Sequence, residues 1–133
     1  MSPTPEQHIA ITDLVARYCM ALSVGDVEGW VSLFTPDGSF KVYGRTWDGH
    51  DKLRGMMKAA IPGLHLGGQP IIEMVDGDHA RTRRNLLVID PRDGIMRSAV
   101  YDDELLRTAG GWKFVSIRCQ FIVAEGLSDR PAK

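Results

Sequence analysis

Between Leu64 and Val123 short turn sequences cut the chain into long extended runs, a pattern that selects an antiparallel meander. The runs are Leu64 to Val75, Ala80 to Asp90, Ile95 to Arg107 and Trp112 to Val123. The turns between them are Asp76-Gly77, Pro91-Arg92-Asp93-Gly94 and Gly110-Gly111. Gly67 and Gly68 interrupt the first run, where a bulge would bend a sheet.

The first half has the other period. Thr4-Pro5-Glu6-Gln7 reads as a helix start, with Thr4 as N-cap, Pro5 at the first helical position and Gln7 closing a capping box. Ile11, Leu14, Val15, Tyr18 and Leu22 then recur at helical spacing, with Asp13 and Arg17 as an i,i+4 pair on the wetter side. Gly25 ends this helix, and Asp26 caps a second, short one carrying Trp30, Leu33 and Phe34 before a turn at Pro36-Asp37-Gly38. Ser39 to Tyr43 reads as a brief strand. A third helix, capped by Asp48, shows an apolar stripe of Leu53, Met56, Met57 and Ala60 and stops before Pro62-Gly63. The tail from Glu125 to Lys133 reads as polar and frayed. The expected architecture is α+β, a single domain over residues 1–133. A curved antiparallel sheet wraps over the long first helix and leaves a cone-shaped apolar cavity open at one end.

Composition narrows the partners. The chain has 133 residues, 16 Lys+Arg against 17 Asp+Glu, and a formal net charge of −1. That balance provides no long-range field for phosphate backbones or anionic lipid, so neither nucleic acid nor membrane is an expected partner. Cys19 and Cys119 form no metal-ligand pattern and no disulfide framework. The N-terminal Met1-Ser2-Pro3-Thr4-Pro5 has no leader-like pattern, which points to a cytoplasmic protein with reduced thiols. The glycines include no phosphate-cradling signature, and Asp76-Gly77-Asp78 lacks the spacing and final glutamate of a calcium loop. No metal and no cofactor are expected.

Several motifs in order carry a resemblance. Tyr18-x-x-Ala21-Leu22-x-x-Gly25-Asp26, Trp30-x-x-Leu33-Phe34-Thr35-Pro36-Asp37-Gly38, His65, Asp76-Gly77-Asp78-x-Ala80, and Tyr101-x-Asp103 before Gly111-Trp112-Lys113-Phe114 resemble the SnoaL-like domains of the nuclear transport factor 2-like superfamily. That implies the cone-shaped cystatin-like fold. Its members include polyketide cyclases, dehydratases, a dehydrochlorinase, ketosteroid isomerase, dioxygenase small subunits and non-enzymatic binders, so the fold names no reaction. The local pattern is most similar to the dehydratase and dehydrochlorinase branch, where a histidine after the third helix pairs with an aspartate near the end of the first. His65 matches the histidine; Ser23 stands where the aspartate would be. A serine can hydrogen-bond but cannot supply the charge that stabilises an imidazolium.

Site residues follow from both arguments. His65 is either a general base or acid, or a half-buried histidine bonded to backbone near the glycine bulge. Tyr18 either packs in the core or, as the resemblance implies, turns its ring into the cavity to orient a substrate oxygen. Tyr101 and Asp103 share a strand face, with Tyr101 a possible acid and Asp103 either a substitute carboxylate for His65 or half of a salt bridge at the sheet surface. Arg118 shares strand parity with Trp112, Phe114 and Ser116 and would bind an anionic group or pair with Asp103. Phe40, Trp30, Met56, Met57 and Phe121 are pocket wall or core. Alternation puts Arg84 opposite Arg81 and Arg83, and the cluster, with Arg97, reads as a solvated or oligomer-facing outer surface rather than an anion site. His8, His50 and His79 read as solvated, and Cys19 as an inert small hydrophobe.

The expectation is a cofactor-independent lyase or isomerase that moves a proton on a small, largely apolar or aromatic molecule. The competing expectation is a ligand-binding or accessory protein that keeps the pocket without the dyad, and a third is an interaction module like the dioxygenase small subunits. The resemblance implies a homodimer or homotrimer under each.

Overall fold

The computed structural model describes residues 1–60 and 62–132. Helix α1 (Pro5–Val24) begins with the expected capping box: Gln7 N–H donates to Thr4 Oγ1 at 3.2 Å and Thr4 N–H to Gln7 Oε1 at 2.9 Å. It ends at Gly25, whose φ of 72° is a left-handed cap that glycine adopts without strain. Its inward stripe is Ile11, Leu14, Val15, Tyr18, Cys19 and Ala21. Asp26 caps α2 (Val27–Val31) by accepting from Gly29 N–H at 2.9 Å. In α3 (Gly49–Ala59), Leu53 and Met57 are buried; Asp48 precedes it without a side-chain cap bond.

The sheet contains β1 (Phe34–Val42), β2 (Arg45–Asp48), β3 (Leu64–Gly67), β4 (Ile71–Met74), β5 (His79–Ile89), β6 (Met96–Thr108), β7 (Gly111–Val123) and β8 (Gly126–Ser128). Its main path runs β2-β1-β7-β6-β5-β3, with β4 also on β5 and β8 on β7. The meander β5-β6-β7 is antiparallel as expected. β1, however, lies parallel to β7, so the sheet is mixed.

Three local expectations change. The brief strand at Ser39 to Tyr43 extends back to Phe34, because Pro36-Asp37-Gly38 forms an irregularity within β1 rather than a turn before it. Gly38 is tightly enclosed, since a Cβ would lie 3.0 Å from both Phe34 Cβ and Thr35 O. The run Leu64 to Val75 is two strands, β3 on the far end of β5 and β4 on the near end, with Gly68-Gln69-Pro70 between them. Part of the tail is ordered as β8, which pairs Phe121, Ile122 and Val123 with Ser128, Leu127 and Gly126.

Packing centres on aromatics. Trp30 meets Phe34 edge-on at 4.8 Å, and Phe114 sits 5.5 Å from both Phe34 and Tyr18. These rings close the sheet onto α1 and α2 at one end, with Trp30, Phe34 and Phe114 at most 2% exposed. No helix among the described residues is long and apolar enough to cross a membrane.

Candidate active site

The inner face of the sheet is ordered in cross-strand rungs. The innermost joins Thr82, Asp103 and Ile117, and the next joins Arg84, Tyr101 and Cys119. Leu86, Ala99 and Phe121 follow, and the outermost joins His65, Val88 and Arg97 across β3, β5 and β6. Partners in register share a face, so this single surface passes from a sealed core into a cavity of about 380 Å³. Tyr18, Trp30, Phe40, Tyr101, Cys119 and Phe121 line it inside, and Tyr43, Arg45, Trp47, His65 and Arg97 line it further out.

His65 enters the cavity from β3, and two backbone contacts hold it. Its own N–H donates to Ser23 Oγ at 2.9 Å, and Ser23 donates to Cys19 O at 2.8 Å, tying β3 to the end of α1. The ring Nδ1 lies 3.0 Å from Gly63 O. A carbonyl only accepts, so Nδ1 carries the proton and Nε2 keeps its lone pair. Gly63 is there for a steric reason: its φ is +119° and a Cβ would run into the Ile89 carbonyl. Burial lowers the His65 pKa from its ordinary 6.5, only partly opposed by the Gly63 hydrogen bond, so the imidazole is neutral at pH 7.

Beneath the cavity lies a buried ion pair. Arg84 Nε and Nη2 donate to Asp103 at 2.8 and 3.2 Å, and Thr82 Oγ1 donates to the same carboxylate at 2.7 Å. Both charged side chains are fully excluded from solvent. Arg84 Nη1 has no hydrogen-bond partner among the described residues, but the guanidinium lies 4.4 Å from the centre of the Tyr18 ring, 4.9 Å from Tyr101 and 5.4 Å from Phe114. Aromatic faces thus solvate the side of the cation that the carboxylate does not reach. Burial works against the Arg84 charge, yet Asp103 outweighs it and holds the guanidinium pKa above its ordinary value. Burial raises the pKa of Tyr18 and Tyr101, partly offset in each by the Arg84 charge; both stay protonated hydrogen-bond donors. It pushes the Cys119 thiol up to about 12 and raises Cys19 as well, so neither is a thiolate nucleophile at neutral pH.

Of the residues singled out from sequence, His65, Tyr18, Tyr101, Phe40, Trp30, Met56 and Phe121 meet around this cavity. Others do not. Asp103 is committed to Arg84 and Thr82 one rung below the phenols, and does not support the imidazole. Ser23 serves backbone, not the ring, and Met57 turns away into a separate groove between α1 and α3. Arg118 is on the outer face, because the β6–β7 register shifts between Phe114 and Ser116 and Val115 is the extra residue that reverses the alternation. The reading of Arg84 and Arg97 as outer surface is also overturned: Arg84 is 2% exposed and Arg97 lines the cavity. A usable signal existed, since Arg97 has the same strand parity as Ala99 and Tyr101, so a cavity that takes Tyr101 takes Arg97 too. His50 is half-buried, with Nε2 3.1 Å from Phe34 O, rather than solvated.

The geometry has a known counterpart. The profile of the SnoaL-like domain matches residues 4–118. This chain belongs to the SnoaL-like domain family. Among solved structures it is similar to a protein of unknown function with a cystatin-like fold from Nostoc punctiforme, with 25% identity over 93% of this chain and 97% of that one and a TM-score of 0.83. A function-unknown protein from Mycobacterium tuberculosis is 30% identical over 88% of this chain and 77% of that one, TM-score 0.79. A hexachlorocyclohexane dehydrochlorinase, LinA-type3 from Novosphingobium barchaimii, is similar at 20% identity over 96% and 90% of the two chains, TM-score 0.79, which shows a shared fold. No curated protein matches this SnoaL-like chain.

Proposed function

We propose that this SnoaL-like protein is a cofactor-independent lyase or isomerase that transfers a proton at carbon on a small, largely apolar or aromatic molecule. The observation that carries this reading is the state of His65: neutral, with Nδ1 pinned to Gly63 O and the Nε2 lone pair left for a substrate C–H. The Tyr18 and Tyr101 phenols, protonated on the cavity wall, donate to the substrate oxygen on which negative charge develops. Deprotonation gives an enolate-like state, which the return of the proton at another carbon completes as an isomerisation and loss of a β-substituent completes as an elimination. The dehydrochlorinase neighbour of the same fold lends support by analogy. On this reading the protein works in the cytoplasm with both cysteines as buried thiols.

A second reading has its own observation. No carboxylate bonds the His65 ring among the described residues, and a carbonyl dipole stabilises an imidazolium less than a full charge does. That favours a binding or accessory protein that retains the cavity without turnover. Deuterium exchange at the acidic methylene of 2-tetralone in D2O, followed by NMR, separates the two. The enzyme reading expects exchange above buffer rate with wild type and its loss in His65→Gln. Equal exchange by both proteins, or saturable binding of 2-tetralone with no exchange, overturns it.

A further inference from the structure

The charged residues around the cavity are all of one sign. Its lining includes Arg45 and Arg97 and not one aspartate or glutamate. Arginines elsewhere are mostly committed: Arg17, Arg54, Arg83, Arg84, Arg92 and Arg107 each hold a carboxylate within 3.2 Å. Arg45 and Arg97 hold none among the described residues. Arg45 instead lies over the Trp47 ring, 5.1 Å from its centre, at the open side of the cavity. Asp90, whose carboxyl feels Arg97 across space, is already taken by Arg92 at 2.7 to 3.2 Å.

We infer that the ligand of this cavity is an aromatic or other planar apolar molecule bearing a carboxylate, held with its acid group at the mouth by Arg45 and Arg97 and its apolar body inward. The inference rests on the proposed role of the cavity as a small-molecule site. Guanidinium groups beside an apolar space match a planar two-oxygen anion in charge, and each offers it a two-pronged donor. The register fixes a ruler: Arg97 and Tyr101 are four residues apart on one face of β6, about 13 Å at the usual strand rise. A fused-ring acid fits that interval with its far end toward the phenols.

Calorimetric titration of the intact protein with 2-naphthoic acid and its neutral isostere 2-naphthamide tests this. At low salt the acid should bind about tenfold or more tightly than the amide. The preference should shrink as salt rises, and should vanish in Arg45→Met/Arg97→Met. An Arg81→Met/Arg118→Met control on the outer face should retain it. Equal affinity for acid and amide in wild type, or an undiminished preference in the Arg45/Arg97 variant, overturns the anionic ligand class while leaving the cavity as a binding site. Failure of both probes to bind overturns the class together with the reading of the cavity.

Discussion

Arg84 and Arg97 point to the same side of the same curved sheet, and the contrast between their surroundings explains how this fold divides stability from function. Arg84 is sealed with Asp103, Thr82 and three aromatic rings. Arg97, two rungs further out, lines open space with no acid of its own among the described residues. A buried charge must be neutralised where it stands, whereas a charge at the edge of water can wait for a ligand. Depth along the strand, not residue type, sets the role.

The strongest way to break this comparison is to remove the inner carboxylate. Asp103→Ala leaves a buried guanidinium unpaired and should cost about 3–5 kcal/mol of stability by chemical denaturation, whereas Arg84→Met/Asp103→Leu, which removes both charges, should recover much of that loss. If the single variant is as stable as wild type, the inner pair is not the structural element described above.

The outer region is sharpened by pH. His65 has a folded pKa below its ordinary 6.5, so the unfolded state binds the proton first as pH falls. Its contribution to stability is therefore present at neutral pH and lost as the medium is acidified below about 6.5. Proton-transfer activity should follow the neutral fraction in the folded protein, giving a kcat/KM profile with an acid limb whose midpoint lies under 6.5. The raised phenols place any alkaline limb from Tyr18 or Tyr101 above the ordinary 10. An acid midpoint above 6.5 would remove His65 as the base described here.

The smallest effect concerns the link between β3 and α1. Ser23→Ala removes one acceptor for His65 N–H and should cost about 1–2 kcal/mol without shifting the midpoint of the pH profile, because Ser23 touches the backbone of His65 and not its ring. A shifted midpoint would show that Ser23 acts on the imidazole after all.

Much of this was readable in the chain. The capping box at Thr4, the left-handed stop at Gly25, the cap at Asp26 and the β5-β6-β7 meander follow from local chemistry whose range is a few residues. The apolar stripe through Tyr18 and the resemblance pointed to a ring in the cavity, and the parity of β6 required Arg97 to accompany Tyr101. What stayed hidden involved one extra residue or a distant partner. At Val115 a single inserted position reverses the faces of β7 and sends Arg118 outward, and no feature of that segment alone marks it. The commitment of Asp103 to Arg84 instead of His65 is a fact of register between β5 and β6, which alternation within either strand leaves undetermined.

Sequence by itself determined the long first helix with both its ends, the start of the second and the β5-β6-β7 meander, and which residues are apolar enough to enclose a cavity, because capping and periodicity act over one or two turns. Tertiary structure alone decided which charges neutralise each other and which face the cavity. Those outcomes depend on the pairing of strands distant in sequence and on where bulges fall, and electrostatic energy in a low-dielectric interior follows distance in space rather than distance along the chain.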